Sequence, residues 1–222
     1  MPALKLSVIV PVAVGDHSWQ QLLQDLVQVS SPLEIILVGP EFKASIVNKN
    51  CHHVIFLTGC GDRSRQLNLG GMRASGDFLW FLHADSRMTA STHLSLVEGL
   101  AMAPDAFHFF HLLFLPDGPT MTFINSFFAN LRARYLGLPF GDQGFALGKQ
   151  LWIDIGQFPQ GRKYGEDHAL VWQLKRRGVK FFYHRQPIRS SARKYLKNGW
   201  GSTTLRHFIL TWRQAFSEWR QV

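Results

Sequence analysis

Gly76-Asp77-Phe78-Leu79-Trp80-Phe81-Leu82-His83-Ala84-Asp85-Ser86 passes from a turn residue through an unbroken apolar run and ends in polar side chains. A short continuous apolar run of this kind reads as a strand buried on both faces, as in sheets whose strands are joined by helices. Ligands of open α/β sheets gather beyond the carboxyl ends of the strands, so His83 and Asp85 stand where chemistry is expected. Taken alone, the pair reads more simply as a polar strand end that caps the next helix.

Outward from that run the same pattern recurs. Leu6 to Val12, Leu33 to Val38 and Val54 to Leu57 are apolar, β-branched-rich runs separated by segments long enough for crossovers. Trp19, Leu22, Leu23, Leu26 and Val27 recur at helical spacing between the first two, and Ser64 to Ser75 and Ser91 to Met102 read as helices around the central run. Alternation of this kind predicts a mostly parallel sheet flanked by helices. After Pro104 the pattern becomes an aromatic strand over Phe107 to Leu115, a turn at Pro116-Asp117-Gly118-Pro119 and a helix from Thr120 to Leu136. A Gly/Pro-marked loop, Gly137 to Gly144, precedes a helix over Glu166 to Arg177, a strand over Val179 to Tyr183 and an amphipathic helix over Thr203 to Trp219. The expectation is one domain over residues 1–222, with a nucleotide-binding half to about residue 104 and an acceptor half with a basic C-terminal region beyond it.

The chain has 222 residues, 46% of them hydrophobic, enough for one sizeable core. Residues 1–149 carry 10 Lys+Arg against 11 Asp+Glu and residues 150–222 carry 14 against 4, so the formal +9 lies in the last third. A basic face there suits a diphosphate, an anionic membrane surface or nucleic acid. Cys51 and Cys60 form no Cys-x-x-Cys pair, which fits a reducing compartment. The N-terminal apolar run is too short for a signal peptide and nothing approaches a membrane span, so a cytoplasmic protein is expected, with peripheral contact at the membrane's inner face left open.

Four segments together resemble the bacterial family 2 glycosyltransferases of the GT-A fold: Ser7 to Pro11; Arg63-Ser64-Arg65-Gln66-Leu67-Asn68 running to Phe81-Leu82-His83-Ala84-Asp85; Gly141-Asp142-Gln143-Gly144; and Gly165-Glu166-Asp167-His168. The Phe-Leu-His-Ala-Asp variant is similar to a subgroup in which His83 replaces the first carboxylate of the usual Asp-x-Asp. The resemblance implies an inverting transfer from a nucleotide sugar to a hydroxyl acceptor, assisted by Mn²⁺ or Mg²⁺. Asp85 would hold the cation. His83 is either a nitrogen ligand, acts through water, or hydrogen-bonds behind the ligands. Asp167 matches the base and Glu166 the residue that orients its loop, while capping of the helix that they open is the plainer alternative. Pro11, Arg63, Arg65, Asn68 and, beside the diphosphate, Arg193 fall on the donor side; Asp142 and Gln143 fall on the acceptor side.

The chain also departs from that pattern. Val12-Ala13-Val14-Gly15-Asp16 stands where relatives carry Asn-Glu, and Val38-Gly39-Pro40-Glu41 replaces a strand that usually ends in nucleotide-reading aspartates. That carboxylate is therefore missing or displaced to Glu41. A non-catalytic nucleotide-sugar binder is the competing reading. A nucleic-acid partner is not expected, because no nucleic-acid fold signature accompanies the charge. A nucleotidyltransferase would call for a Gly-rich phosphate loop that Val12-Ala13-Val14-Gly15 does not supply. The stripe Phe208, Trp212, Phe216, Trp219 is expected to pack on its own domain or on a second subunit; shallow insertion beside acidic headgroups, with Arg206, Arg213 and Arg220 at its margins, and a lipid-linked acceptor form the alternative.

Overall fold

Eight strands form a single sheet in the computed structural model, which describes residues 4–161 and 165–219. In chain order the elements are β1 (Leu6–Pro11), α1 (Trp19–Leu26), β2 (Glu34–Gly39), β3 (Ser45–Lys49), β4 (His52–Thr58), α2 (Arg63–Arg73), β5 (Phe78–Phe81), α3 (Ala90–Met102), β6 (Phe107–Phe114), α4 (Thr122–Leu136), β7 (Phe145–Gly148), α5 (Lys149–Asp154), α6 (Glu166–Arg176), β8 (Phe181–Ser190), α7 (Arg193–Asn198) and α8 (Trp200–Trp219). The strand order is β3-β4-β2-β1-β5-β7-β6-β8. β4, β2, β1 and β5 run parallel, as do β6 and β8; β3 and β7 are antiparallel to their neighbours.

The central strands read as continuous apolar runs because both faces are covered: Val8, Val10 and Trp80 belong to one core layer, Ile9, Leu79 and Phe81 to the other. Helix α2 packs closely on β1 because Gly70 leaves its face bare; a Cβ there would lie 2.6 Å from Ile9 Cγ2.

The sequence reading missed β3, β7, α5 and α7, and it ended β8 seven residues early, at Tyr183 rather than Ser190. Strand β7 is four residues of Phe-Ala-Leu-Gly, too short for its own period and ordered by pairing with β5. Strand β8 contains Pro187 and Arg189, a proline and a charged residue that are tolerated because this strand closes the sheet edge.

Helix α8 overturns the expected packing of its stripe on the domain. Thr203, Thr211, Ala215 and Glu218 face the body of the protein, with Arg176 Nη2 donating to Glu218 Oε2 at 2.9 Å, while Leu205, Phe208, Ile209, Trp212 and Phe216 are exposed. Helix α4 is arranged the same way: Thr122, Ser126, Asn130 and Ala133 are buried, and Phe123, Phe127, Phe128 and Tyr135 are exposed. The inward small residues let both helices approach closely, and Asn130 uses its side chain to satisfy Leu112 N–H (2.8 Å) and Leu112 C=O (2.9 Å) on an edge of β6 that β7 does not reach. The Trp219 side chain and Arg220 lie outside the described residues.

A relay of neutral groups crosses the core between α3, β6 and β8. His108 Nε2 donates to Ala103 C=O (2.9 Å), which leaves its Nδ1 to accept from His184 Nε2 (3.0 Å), whose Nδ1 accepts in turn from Ser95 Oγ (3.0 Å). Burial, and then the neighbouring His108, pull His184 down to about 3. The unfolded chain therefore takes up a proton near pH 6.5 that the folded chain refuses, so stability is complete above that pH and falls as pH drops toward the folded value. Between pH 6.5 and 5 the loss attributable to His184 is about 2 kcal/mol. Urea unfolding at the two pH values should show His184→Gln losing about that much less than the wild type; equal losses would remove the relay from the acid response.

Candidate functional site

Parallel pairing of β1 with β5 brings the loops after Pro11 and Phe81 side by side. Val12 N–H donates to Val38 C=O (2.8 Å), Leu82 N–H to Ile9 C=O (3.0 Å) and Ser86 N–H to His83 C=O (3.0 Å), so both loops are fixed by backbone. Gln66 on α2 adds a side-chain tie to Val12 C=O at 3.1 Å. Between them lies a cavity of about 390 Å³ lined by Pro11, Asp16, Arg63, Gln66, His83 and Asp85. A second, of about 770 Å³, opens beside it and shares Asp16 and Asp85; its far wall carries Arg87, Asp117, Ser191 and Arg193.

On the other side of His83 a knot of charge joins α2, the Gly141 turn and the start of α6. Arg63 Nε donates to Glu166 Oε1 at 2.5 Å, its Nη1 meets His83 Nε2 at 3.2 Å, and its Nη2 lies 3.6 Å from Asp167 Oδ2. Asp167 also accepts from Gly141 N–H (2.8 Å) and from His168 N–H (3.0 Å). Burial pushes the Asp167 carboxyl up, but the Arg63 guanidinium and these N–H groups outweigh it and hold the group below the ordinary aspartate range. Burial lowers the Arg63 guanidinium, and Asp167 and Glu166 more than reverse that. His83 is pulled down to about 3 by burial and then by Arg63, so it is a neutral imidazole at physiological pH. Its Nε2 accepts from Arg63, which leaves that nitrogen facing the guanidinium rather than a metal ion.

Asp85 and Asp142 behave in the opposite way. Burial raises each of them; Lys194 is the foremost cation pulling both back, joined at Asp142 by Arg132 and Arg63. Asp142 Oδ1 is buried and has no hydrogen-bond partner among the described residues. Among the described residues no group of three or more His, Cys, Asp or Glu could hold a metal ion. Asp85 nonetheless fits the way in which Mg²⁺ or Mn²⁺ is bound through one or two carboxylates plus substrate phosphates, with Asp16 lining the same two cavities.

The structure thus brings Pro11, Arg63, His83, Asp85, Asp142, Glu166 and Asp167 together. It does not bring Arg65, Asn68 or Gln143 to the cavities. Arg65 is exposed and its N–H is capped by Asp62 at 2.9 Å. Asn68 is spent on the Phe158 backbone, at 2.8 and 3.0 Å. Gln143 is buried and fastens its own turn, bonding Phe110 C=O (3.0 Å) and Phe140 N–H (3.2 Å). Glu41 accepts from Gly15 N–H (3.1 Å) and so braces the loop after β1. Arg193 lines the larger cavity from an exposed position held by Ser191 Oγ at 2.9 Å. Its neighbour Lys194 is a cation that acts on His83, Asp85 and Asp142 alike, a role the sequence reading did not give it. Arg132 was also missed; it stacks 3.6 Å above Phe140 and bonds Leu138 C=O at 2.8 Å, and no local motif marks it.

No protein-family model matches the chain, and comparison with curated proteins finds no match. Solved structures do match. S. aureus TarS 1-349 superposes with a TM-score of 0.63 over 85% of this chain and 60% of that one, at 16% identity. The fold is of the GT-A type. The same TarS fragment in complex with UDP-GlcNAc gives 0.63 over 85% and 58%, also at 16% identity, and GalNAc-T7 with UDP, GalNAc and Mn²⁺ gives 0.61 over 85% and 44%, at 12%. The chain therefore spans about three-fifths or less of the structures it matches, and at these identities the likeness is one of fold.

Proposed function

We propose that the chain transfers a sugar from a nucleoside diphosphate to a hydroxyl acceptor with inversion. The observation that carries this is an ionised, hydrogen-bonded Asp167 held against Arg63, which with His83 and Asp85 lines a polar cavity. Pro11 and Gln66 frame the donor pocket, and Arg63 and Lys194 offer positive charge to a departing diphosphate. Asp167 accepts the acceptor's proton as its oxygen attacks the anomeric carbon from the face opposite the leaving group, while Glu166 holds Arg63 in place. A divalent cation, Mn²⁺ or Mg²⁺, held by Asp85 and the diphosphate oxygens, would neutralise charge on the leaving group. The UDP-GlcNAc complex of one fold relative, and the complex of another with UDP, GalNAc and Mn²⁺, support a nucleotide-sugar donor. The basic last third supports peripheral contact with an anionic membrane from the cytoplasmic side, and no helix among the described residues is long and apolar enough to cross one.

Binding is tested by thermal unfolding with UDP-GlcNAc and Mn²⁺. At one hundred times Kd the complex gains about 2.7 kcal/mol, which raises Tm by roughly 5–10 °C for a domain of this size. Absence of a shift with any UDP- or GDP-sugar would overturn the reading. His83, engaged by Arg63 where a carboxylate ligand is usual, favours a second reading: a nucleotide-sugar binder that has lost turnover. Donor hydrolysis abolished by a chelator separates the two.

A further inference from the structure

The two inverted helices enclose a groove of about 880 Å³, within the size range of sites that engulf a small ligand. Its walls are Phe128 and Tyr135 of α4 and Leu205, Phe208 and Trp212 of α8. Trp200 Nε1 donates to Asn125 Oδ1 (2.7 Å) and Asn125 Nδ2 to Thr204 Oγ1 (3.0 Å), a pair of bonds that pins α8 to α4 at one end of the groove. Globular helices turn such residues inward, and a contiguous exposed apolar surface marks a binding face.

The inner end of this groove is polar and belongs to the site described above: Asp142, Lys194 and Arg132 line it. There Asp142, whose Oδ1 has no hydrogen-bond partner among the described residues, offers its carboxylate to a ligand hydroxyl at the groove's end. One occupant satisfies both ends, an apolar body that ends in a hydroxyl. We infer that the acceptor is a lipid alcohol whose hydrocarbon portion lies between α4 and α8 and whose hydroxyl hydrogen-bonds Asp142 beside Asp167. This rests on the reading of the site as a glycosyl-transfer centre. The bond formed joins the acceptor oxygen to the anomeric carbon, the bond broken joins that carbon to the diphosphate, and the hydroxyl proton passes to Asp167.

The probes are hexyl, octyl and decyl β-glucoside below their micelle concentrations, with a common hydroxylated head and a growing chain, followed by the fluorescence of Trp200 and Trp212. Binding should saturate at one molecule per chain, and Kd should tighten about fourfold per added methylene. Leu205→Asp and Phe128→Ser alter exposed groove walls and should weaken octyl glucoside at least tenfold; their UDP-GlcNAc thermal shift, read in parallel, reports that they are folded. A Kd independent of chain length, or one unchanged in both variants, with the UDP-GlcNAc shift intact, overturns the groove as an acceptor site. So does a dimer that dissociates on Leu205→Asp, because the groove would then be filled by a second copy. A wild type with no UDP-GlcNAc shift fails differently: it removes the transfer reading and the acceptor assignment with it.

Discussion

Asp167→Asn should lower the rate of sugar transfer by roughly 10²–10⁴-fold and leave donor affinity nearly unchanged, because a base contributes only in the transition state. The variant keeps the shape of the side chain and removes its charge and basicity. It also introduces a conflict: Asp167 accepts from Gly141 N–H through one oxygen and from His168 N–H through the other, and an amide can present an oxygen to only one of them. One N–H is then left facing another donor, a loss of about 1–3 kcal/mol in stability. The two consequences separate experimentally, since unfolding reports the second and single-turnover transfer at saturating donor the first. Transfer at the wild-type rate would exclude Asp167 as the base. Because Arg63 and the N–H groups hold this carboxyl below the ordinary range, the rate should stay flat from neutral pH down to the usual aspartate range and fall only as Asp167 protonates in acid.

Asp85→Ala should produce the opposite pairing of effects. The carboxyl is raised by burial, so its charge is held at neutral pH against its surroundings, with Asp142 and Asp16 adding repulsion and Lys194 the main relief. Removing it should leave unliganded Tm unchanged or higher, a sign that the fold tolerates strain here for the sake of ligand binding. The manganese-dependent part of UDP affinity should be lost, at least tenfold and so about 1.4 kcal/mol or more. Calorimetric titration of UDP with and without Mn²⁺ gives that difference directly. A variant that binds UDP as tightly as the wild type with manganese would remove Asp85 from the cation's site.

The parallel half of the sheet was legible because strands buried on both faces announce themselves as unbroken apolar runs, as Leu6 to Pro11 and Phe78 to Phe81 do. What pairing alone creates was not: β7 owes its extension to β5, and nothing local in Phe145 to Gly148 distinguishes it from a loop. Within the site, the residues that meet through the ends of β1, β5 and α6 were found by their motifs. Lys194 was passed over for Arg193 because adjacent basic residues look alike until the turn of α7 sends them different ways. Arg65, Asn68 and Gln143 were drawn in by their place in motifs, although Asn68 and Gln143 are spent on backbone groups and the Arg65 side chain is exposed. The stripe of α8 was read with the ordinary polarity of a surface helix, and no periodicity reveals that the residues opposite, Thr203, Thr211 and Ala215, form the side turned inward.

At Gly141 a single added methyl carbon would lie 2.7 Å from His83 Nε2 and 2.9 Å from Asp167 Oδ2. The wall nearest His83 and Asp167 is bare backbone, and it admits no side chain without pushing the proposed base from its place. Mutational drift therefore has almost no room at the proposed point of transfer. The α4–α8 walls, whose large side chains touch solvent, can be exchanged one at a time with little effect on folding. Chains descended from this one should keep their chemistry fixed while their choice of acceptor wanders.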